Sequence, residues 1–185
     1  MSARNTLIRS LHDVGAATWL GGSLMGAVAL NGAASDIVNP RERAEIAADG
    51  WARWSPVNAA AIGAHLIGGA ALVLANRDRV RHQSGVTSNT AVKSLITVAA
   101  VATTAYSGYL GARLASAGKV DAEGATTPAA GTPDEAAAAQ RRLRGLQWVT
   151  PVLTAIIVVL GAQQGEQQRT GEVIGGLRKK AARRS

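Results

Sequence analysis

The sequence predicts an all-α, polytopic membrane fold: a four-helix transmembrane bundle with a short helix in one outer loop. Three observations lead there. Long runs of small apolar residues recur four times along the 185 residues. Charged residues gather between the runs, not within them. The whole net charge of +8 falls on one side of the alternating map that the runs define.

The composition supports the same class. There is no Phe and no Cys, and only two Tyr stand against 21 Gly. A soluble core of this length normally draws on large aromatic side chains, whereas small residues let helices approach closely in lipid. The lack of Cys excludes disulfides, thiolate metal sites and thiol catalysis.

A bilayer needs about 20 predominantly apolar residues per helix. Crossings are expected at about 11–33, 56–76, 92–115 and 146–163, within a transmembrane domain of residues 1–169. The first run begins after a basic start and reaches Gly32-Ala33-Ala34, which resembles a signal-peptide cleavage site. It is long for a signal core, and His12-Asp13 interrupts its entry, so a retained crossing is expected. Ser55-Pro56 reads as an N-cap followed by Pro at the first helical position of the second crossing. Asn39-Pro40-Arg41-Glu42 and Thr132-Pro133-Asp134-Glu135 both carry a capping-box pattern. The first predicts a short outer helix from Pro40 to Asp49, closed by Gly50. The second starts a helix that continues through Arg141, Arg142 and Arg144 into the last crossing. Residues 116–132 read as a flexible outer linker rich in Thr, Pro, Gly and Ala, and 170–185 as a basic cytoplasmic tail. Trp51, Trp54 and Trp148 fall at the outer boundary, as an aromatic belt requires.

Four crossings put the N-terminus, the loop around Arg77 and the C-terminal tail on one side. That side holds twelve Lys and Arg, including Arg4, Arg9, Arg79, Lys93 and Arg184, against four acidic residues. The other side holds eight of each. Excess Lys and Arg mark the cytoplasmic face, so both termini are expected there, in a plasma (inner) membrane. The basic tail reads as a topology anchor that meets anionic lipid, not as a nucleic-acid arm.

Polar groups inside a membrane are costly and raise a functional question. His65 lies 11 residues from the inner end of its crossing, or about 16 Å at the helical rise. At the same depth stand Thr18, Trp19, Thr104, Tyr106 and Thr154, a possible midplane polar cluster. His65 reads either as a haem ligand, quinone hydrogen-bond donor or proton relay, or as a neutral imidazole that locks helix packing. His12 is the second candidate for cofactor binding. The same estimate puts it about 11 Å nearer the inner surface, which works against a haem b held between the two. His82 reads as solvated.

Gly22 and Gly26 form a GxxxG element, and Ala64 with Gly68 and Gly108 with Ala112 give similar small-residue pairs for helix packing. No phosphate loop, zinc spacing or nucleophile–base pattern occurs, so no catalytic or metal residue is assigned.

The stretch from Leu11 to Gly22, with His12 followed by Trp19-Leu20-Gly21-Gly22, resembles the first helix of copper-resistance D-like membrane proteins. It also resembles that of small four-helix membrane proteins of actinobacteria. The likeness covers one helix of four and implies a membrane topology and a role for His12. The chain lacks the Met- and His-rich segments that copper handling would need. The expectation is therefore a non-enzymatic accessory or packing subunit of a membrane complex or homo-oligomer. The alternative is a haem- or quinone-binding redox module centred on His65, and a weaker third is a copper or proton transport component.

Overall fold

In the computed structural model of the chain, residues 6–77 and 84–166 are described. The basic residues Arg4, Arg79 and Arg81, His82 and the tail 170–185 lie outside them. The described chain is mostly helical. Helix α1 (Thr6–Met25) passes through a π-helical segment (Gly26–Leu30) into the short α2 (Asn31–Ser35). Then come α3 (Pro40–Ala75), α4 (Ser84–Ser116), a small antiparallel hairpin of β1 (Ala122–Gly124) and β2 (Thr127–Pro128), and α5 (Asp134–Glu166).

Three of these helices, α3, α4 and α5, are long and apolar enough to cross a membrane. The regular part of α1 does not meet that measure, because Arg9, His12 and Asp13 lie in its first half. Its apolar residues continue past Met25 through the π-helical segment to Ala34.

Each long helix starts for a readable reason. Asn39 caps α3: its side-chain oxygen accepts from the Arg41 N–H and its amide donates to Glu42, with Pro40 at the first helical position. The cap predicted here is therefore present, but Glu42 takes the Asn39 side-chain amide and not its backbone N–H, so the reciprocal capping box is not formed. The helix this cap starts does not stop at Gly50. It runs unbroken to Ala75 with Pro56 inside it, so the short outer helix and the second crossing are one element. Gly50 faces the Leu30 side chain, and that close packing, not a chain reversal, accounts for it. Before α5, Thr132 is not a cap. Its hydroxyl donates to the Asp121 carbonyl and accepts from the Ala129 N–H, while Glu135 pairs with Arg113. Helix α5 then continues without interruption through Arg141, Arg142 and Arg144.

Helix α1 packs along α3 on one side and α5 on the other, α5 packs along α4, and α3 touches α4 only lightly. One buried cluster joins Ala16, Trp19, Ala100 and Ile157 in the middle of this arrangement, with Ile62, Ile96 and Leu153 against it. A second joins Ala44, Leu114, Val120, Ala122 and Ala136 at the hairpin end. Residues 116–132, expected to be a flexible outer linker, contribute Val120 and Ala122 to this packed head. Arg43 holds the head together by donating to the carbonyls of Ile37, Ala122 and Glu123. Gln140 is fully buried and donates to Gly124, and ion pairs join Arg41 to Asp121 and Lys119 to Glu45. The hairpin carries few large apolar residues, and backbone carbonyls bound by these side chains replace the apolar burial its sequence lacks.

Candidate functional site

Helices α1 and α3 run antiparallel and meet through a repeated device. In each, a His precedes a Gly by three residues: His12 and Gly15 on α1, His65 and Gly68 on α3. Residues three apart on a helix share a face, so each helix presents an imidazole beside a gap. A Cβ on Gly15 would stand 2.5 Å from the Ala61 carbonyl and 2.7 Å from the His65 nitrogen. One on Gly68 would stand 2.7 Å from the His12 nitrogen and 2.8 Å from the Ile8 carbonyl. Because both positions lack a side chain, the backbones touch and each ring reaches the other helix. His12 Nδ1 lies 2.8 Å from the His65 carbonyl, and His65 Nδ1 lies 3.0 Å from the His12 carbonyl. A carbonyl only accepts, so in both neutral rings Nδ1 carries the proton and donates, leaving the lone pair on Nε2. The rings stack with centroids 4.0 Å apart and 19° between planes.

This contact corrects the depth estimate, which set the two histidines at different levels. That estimate assumed level helix ends. In fact Ile8 lies beside Gly68, well before the end of α3 at Ala75, and the two histidines come level. Nor does the pair suit a haem. Axial imidazoles approach iron end-on from opposite faces of the porphyrin, whereas these rings lie face to face in contact with no gap for a macrocycle. Among the described residues no group of three His, Asp or Glu is placed to hold a metal ion.

The same register continues along the seam. Gly22 lies under the Trp54 ring and Gly26 under the Trp51 ring. The GxxxG element therefore receives two indoles from α3, not a second helix backbone. Trp51 and Trp54 point into the bundle, while Trp148 is 48% exposed. Ala64 is half-buried. Gly108 and Ala112 leave α4 on its open side, and a Cβ on Gly108 would meet nothing within 4 Å.

Of the expected midplane cluster, the structure brings part together. Trp19 is fully buried, donates from Nε1 to Thr104 at 3.1 Å, and sets its edge toward His65 at 6.3 Å between centroids. Thr154 is fully buried, and its hydroxyl is taken up by the carbonyls of Thr150 and Pro151 in its own helix. Thr18 is half-buried. Tyr106 leaves the cluster: it is exposed, accepts from Arg142 and stacks on Tyr109, over which Arg113 lies.

Where α3 and α4 stand apart, a cavity of about 330 Å³ opens toward the hairpin end, with Trp19, Trp51, Trp54 and Gly108 among its walls. A polar chain borders it. Trp51 Nε1 donates to Asn31 Oδ1 at 3.0 Å, and Asn31 Nδ2 donates to Gln147 Oε1 at 2.9 Å. The π-helical segment matters here, because its extra residue per turn sets the orientation of Asn31 at its C-terminal end. Asn31, Asn58, Ser107 and Gln147 lie outside the polar cluster expected at the depth of His65. The visible signal was a polar residue inside or beside an apolar run. No family model, curated protein or solved structure matches the chain.

Proposed function

We propose that this chain is a non-enzymatic, four-crossing protein of the plasma membrane that serves as an accessory or packing subunit. One observation carries the fourth crossing. Helix α1 lies side by side with α3 from Ile8 against Gly68 to Gly26 against Trp51. That seam is about 27 Å long at the helical rise, close to the thickness of the hydrocarbon core. If the apolar half of α3 spans the bilayer, α1 lies in the same layer and spans it too. Arg9 and Asp13 then lie within the layer, Asp13 close to the buried Lys93, and the head built on the hairpin lies outside.

The excess of Lys and Arg at the other end supports cytoplasmic termini. The described histidines engage in holding helices together, which supports a role in assembly over redox chemistry. Broad apolar faces, such as Val152, Ile156 and Val159 on α5 and Leu95 and Val98 on α4, are exposed and suit contact with lipid, a membrane partner or a second copy. The absorption spectrum of detergent-purified protein tests the non-redox reading: only the Trp and Tyr band is expected. A Soret band lost in His65→Ala would overturn it.

A further inference from the structure

An exposed cluster of arginines and tyrosines joins α4 to α5 toward the hairpin end. Tyr106 and Tyr109 of α4 stack with ring centroids 6.4 Å apart and 17° between planes. Arg142 of α5 donates from Nη1 to the Tyr106 oxygen at 3.1 Å. Arg113 donates from Nη1 to the Tyr109 oxygen at 3.2 Å, and its guanidinium lies 5.9 Å from that ring's centre. Each phenol oxygen already accepts, so each O–H remains able to donate to another group. Arg113 also pairs with Glu135, and it thereby positions Tyr109. Among the described residues Arg142 meets no carboxylate, and neither do Arg141 and Arg144 beside it. All three are exposed.

Apolar surface continues inward from this cluster on both helices. Val149, Val152 and Ile156 follow Arg142 at helical spacing on one face of α5, and all are exposed. Leu95 and Val98, also exposed, hold the same position relative to the two tyrosines on α4. The depth is that of lipid head groups. Ala100 lies in the buried cluster at the middle of the bundle, and Leu153 packs against it. Arg142 precedes Leu153 by 11 residues and Tyr109 follows Ala100 by nine, about 16 and 14 Å at the helical rise. Half the thickness of the hydrocarbon core is about 15 Å.

A phosphodiester fits these donors. Guanidinium groups bind phosphate through a planar fork of N–H groups, and the two phenols add O–H donors beside Arg142. The charge also selects. Arg113, Arg141, Arg142 and Arg144 stand here against Asp134 and Glu135, so an anionic lipid is favoured over one whose head adds an ammonium. We propose that this cluster binds one anionic phospholipid, its phosphodiester held by Arg142, Tyr106 and Tyr109 and its acyl chains lying on the apolar faces of α4 and α5. Placement at the outer boundary rests on the crossings proposed above, whereas binding itself does not.

The test is calorimetric titration of the full chain, purified in a non-ionic detergent, with dioctanoyl phosphatidylglycerol, dioctanoyl phosphatidylcholine and inorganic phosphate. Saturable binding of the phosphatidylglycerol is expected, at least about tenfold tighter than either other probe. Phosphate alone lacks the chains, so its arm separates a lipid site from a phosphate site. Arg142→Gln should weaken binding about tenfold and Tyr106→Phe about fivefold. Both side chains are exposed, so the melting temperature should not change. Arg77→Gln, just beyond the far end of α3, should bind like the parent. The proposal fails if phosphatidylglycerol does not saturate, or if phosphatidylcholine or phosphate binds as tightly. It fails also if Arg142→Gln keeps the parent's affinity or Arg77→Gln loses as much. These heats are read in detergent, so an error in the topology proposed for cells would leave them unchanged.

Discussion

At the residue scale the seam between α1 and α3 depends on two glycines as much as on two histidines. Gly68→Leu must push the His12 backbone away, since even a Cβ would stand 2.7 Å from its nitrogen. Overpacking of this kind costs about 1–3 kcal/mol, and a lowered melting temperature in detergent should record it. Gly108→Ala, with open space around it, should leave the melting temperature unchanged or raise it slightly. The histidines offer a sharper measurement. His12→Ala and His65→Ala each remove one interhelical hydrogen bond and the stacking of the rings, about 1–2 kcal/mol apiece. Only the stacking is shared, so the double mutant should fall short of additivity by about 0.5–1.5 kcal/mol. Strict additivity would mean that the rings do not touch in the membrane protein. The sequence shows both histidines and both glycines but not their pairing. Partner choice depended on the register that sets Ile8 beside Gly68, and a level-ended estimate hides it.

At the element scale the legible features were local and the hidden ones were tertiary. The cap at Asn39 and the start near Asp134 could be read because side chains within one turn decide them. The continuation of α3 through Gly50 and Pro56 could not. Gly and Pro usually end helices, but here Leu30 packs on Gly50 and the Ser55 hydroxyl bonds the Trp51 carbonyl, while packing on α1 holds the helix together. The π-helical segment at Gly26–Leu30 was equally invisible, since no run of apolar residues announces one extra residue in a turn. Deleting Ala29 removes the absorbed residue, so that turn should return to α geometry with Asn31 kept in place. The Trp51–Asn31–Gln147 chain should survive, and tryptophan emission should stay unchanged. A shift in emission would mean that the segment does more than absorb one residue. In the head, Arg43→Ala removes the donor to three carbonyls. Amide exchange should accelerate in residues 120–128 but not at the His12–His65 seam.

At the scale of the whole molecule, the fold is mostly helical as expected, and three of the four expected crossings are helices long and apolar enough to span a membrane. The remaining step is whether α1 crosses beside them. Arg9, His12 and Asp13 lower the hydropathy of α1, and its packing on α3 sets His12 level with His65. The absence of cysteine from the chain makes the decisive measurement clean, since any introduced cysteine is the only thiol. Thr6 is at the start of α1, and Val38, between α2 and α3, is 93% exposed. Thr6→Cys and Val38→Cys can be labelled in intact cells with a membrane-impermeant maleimide. The four-crossing account predicts that Val38→Cys reacts at once and Thr6→Cys only after permeabilisation. Labelling of both positions under the same condition would put the two ends of the first helix on one side of the membrane and contradict the account.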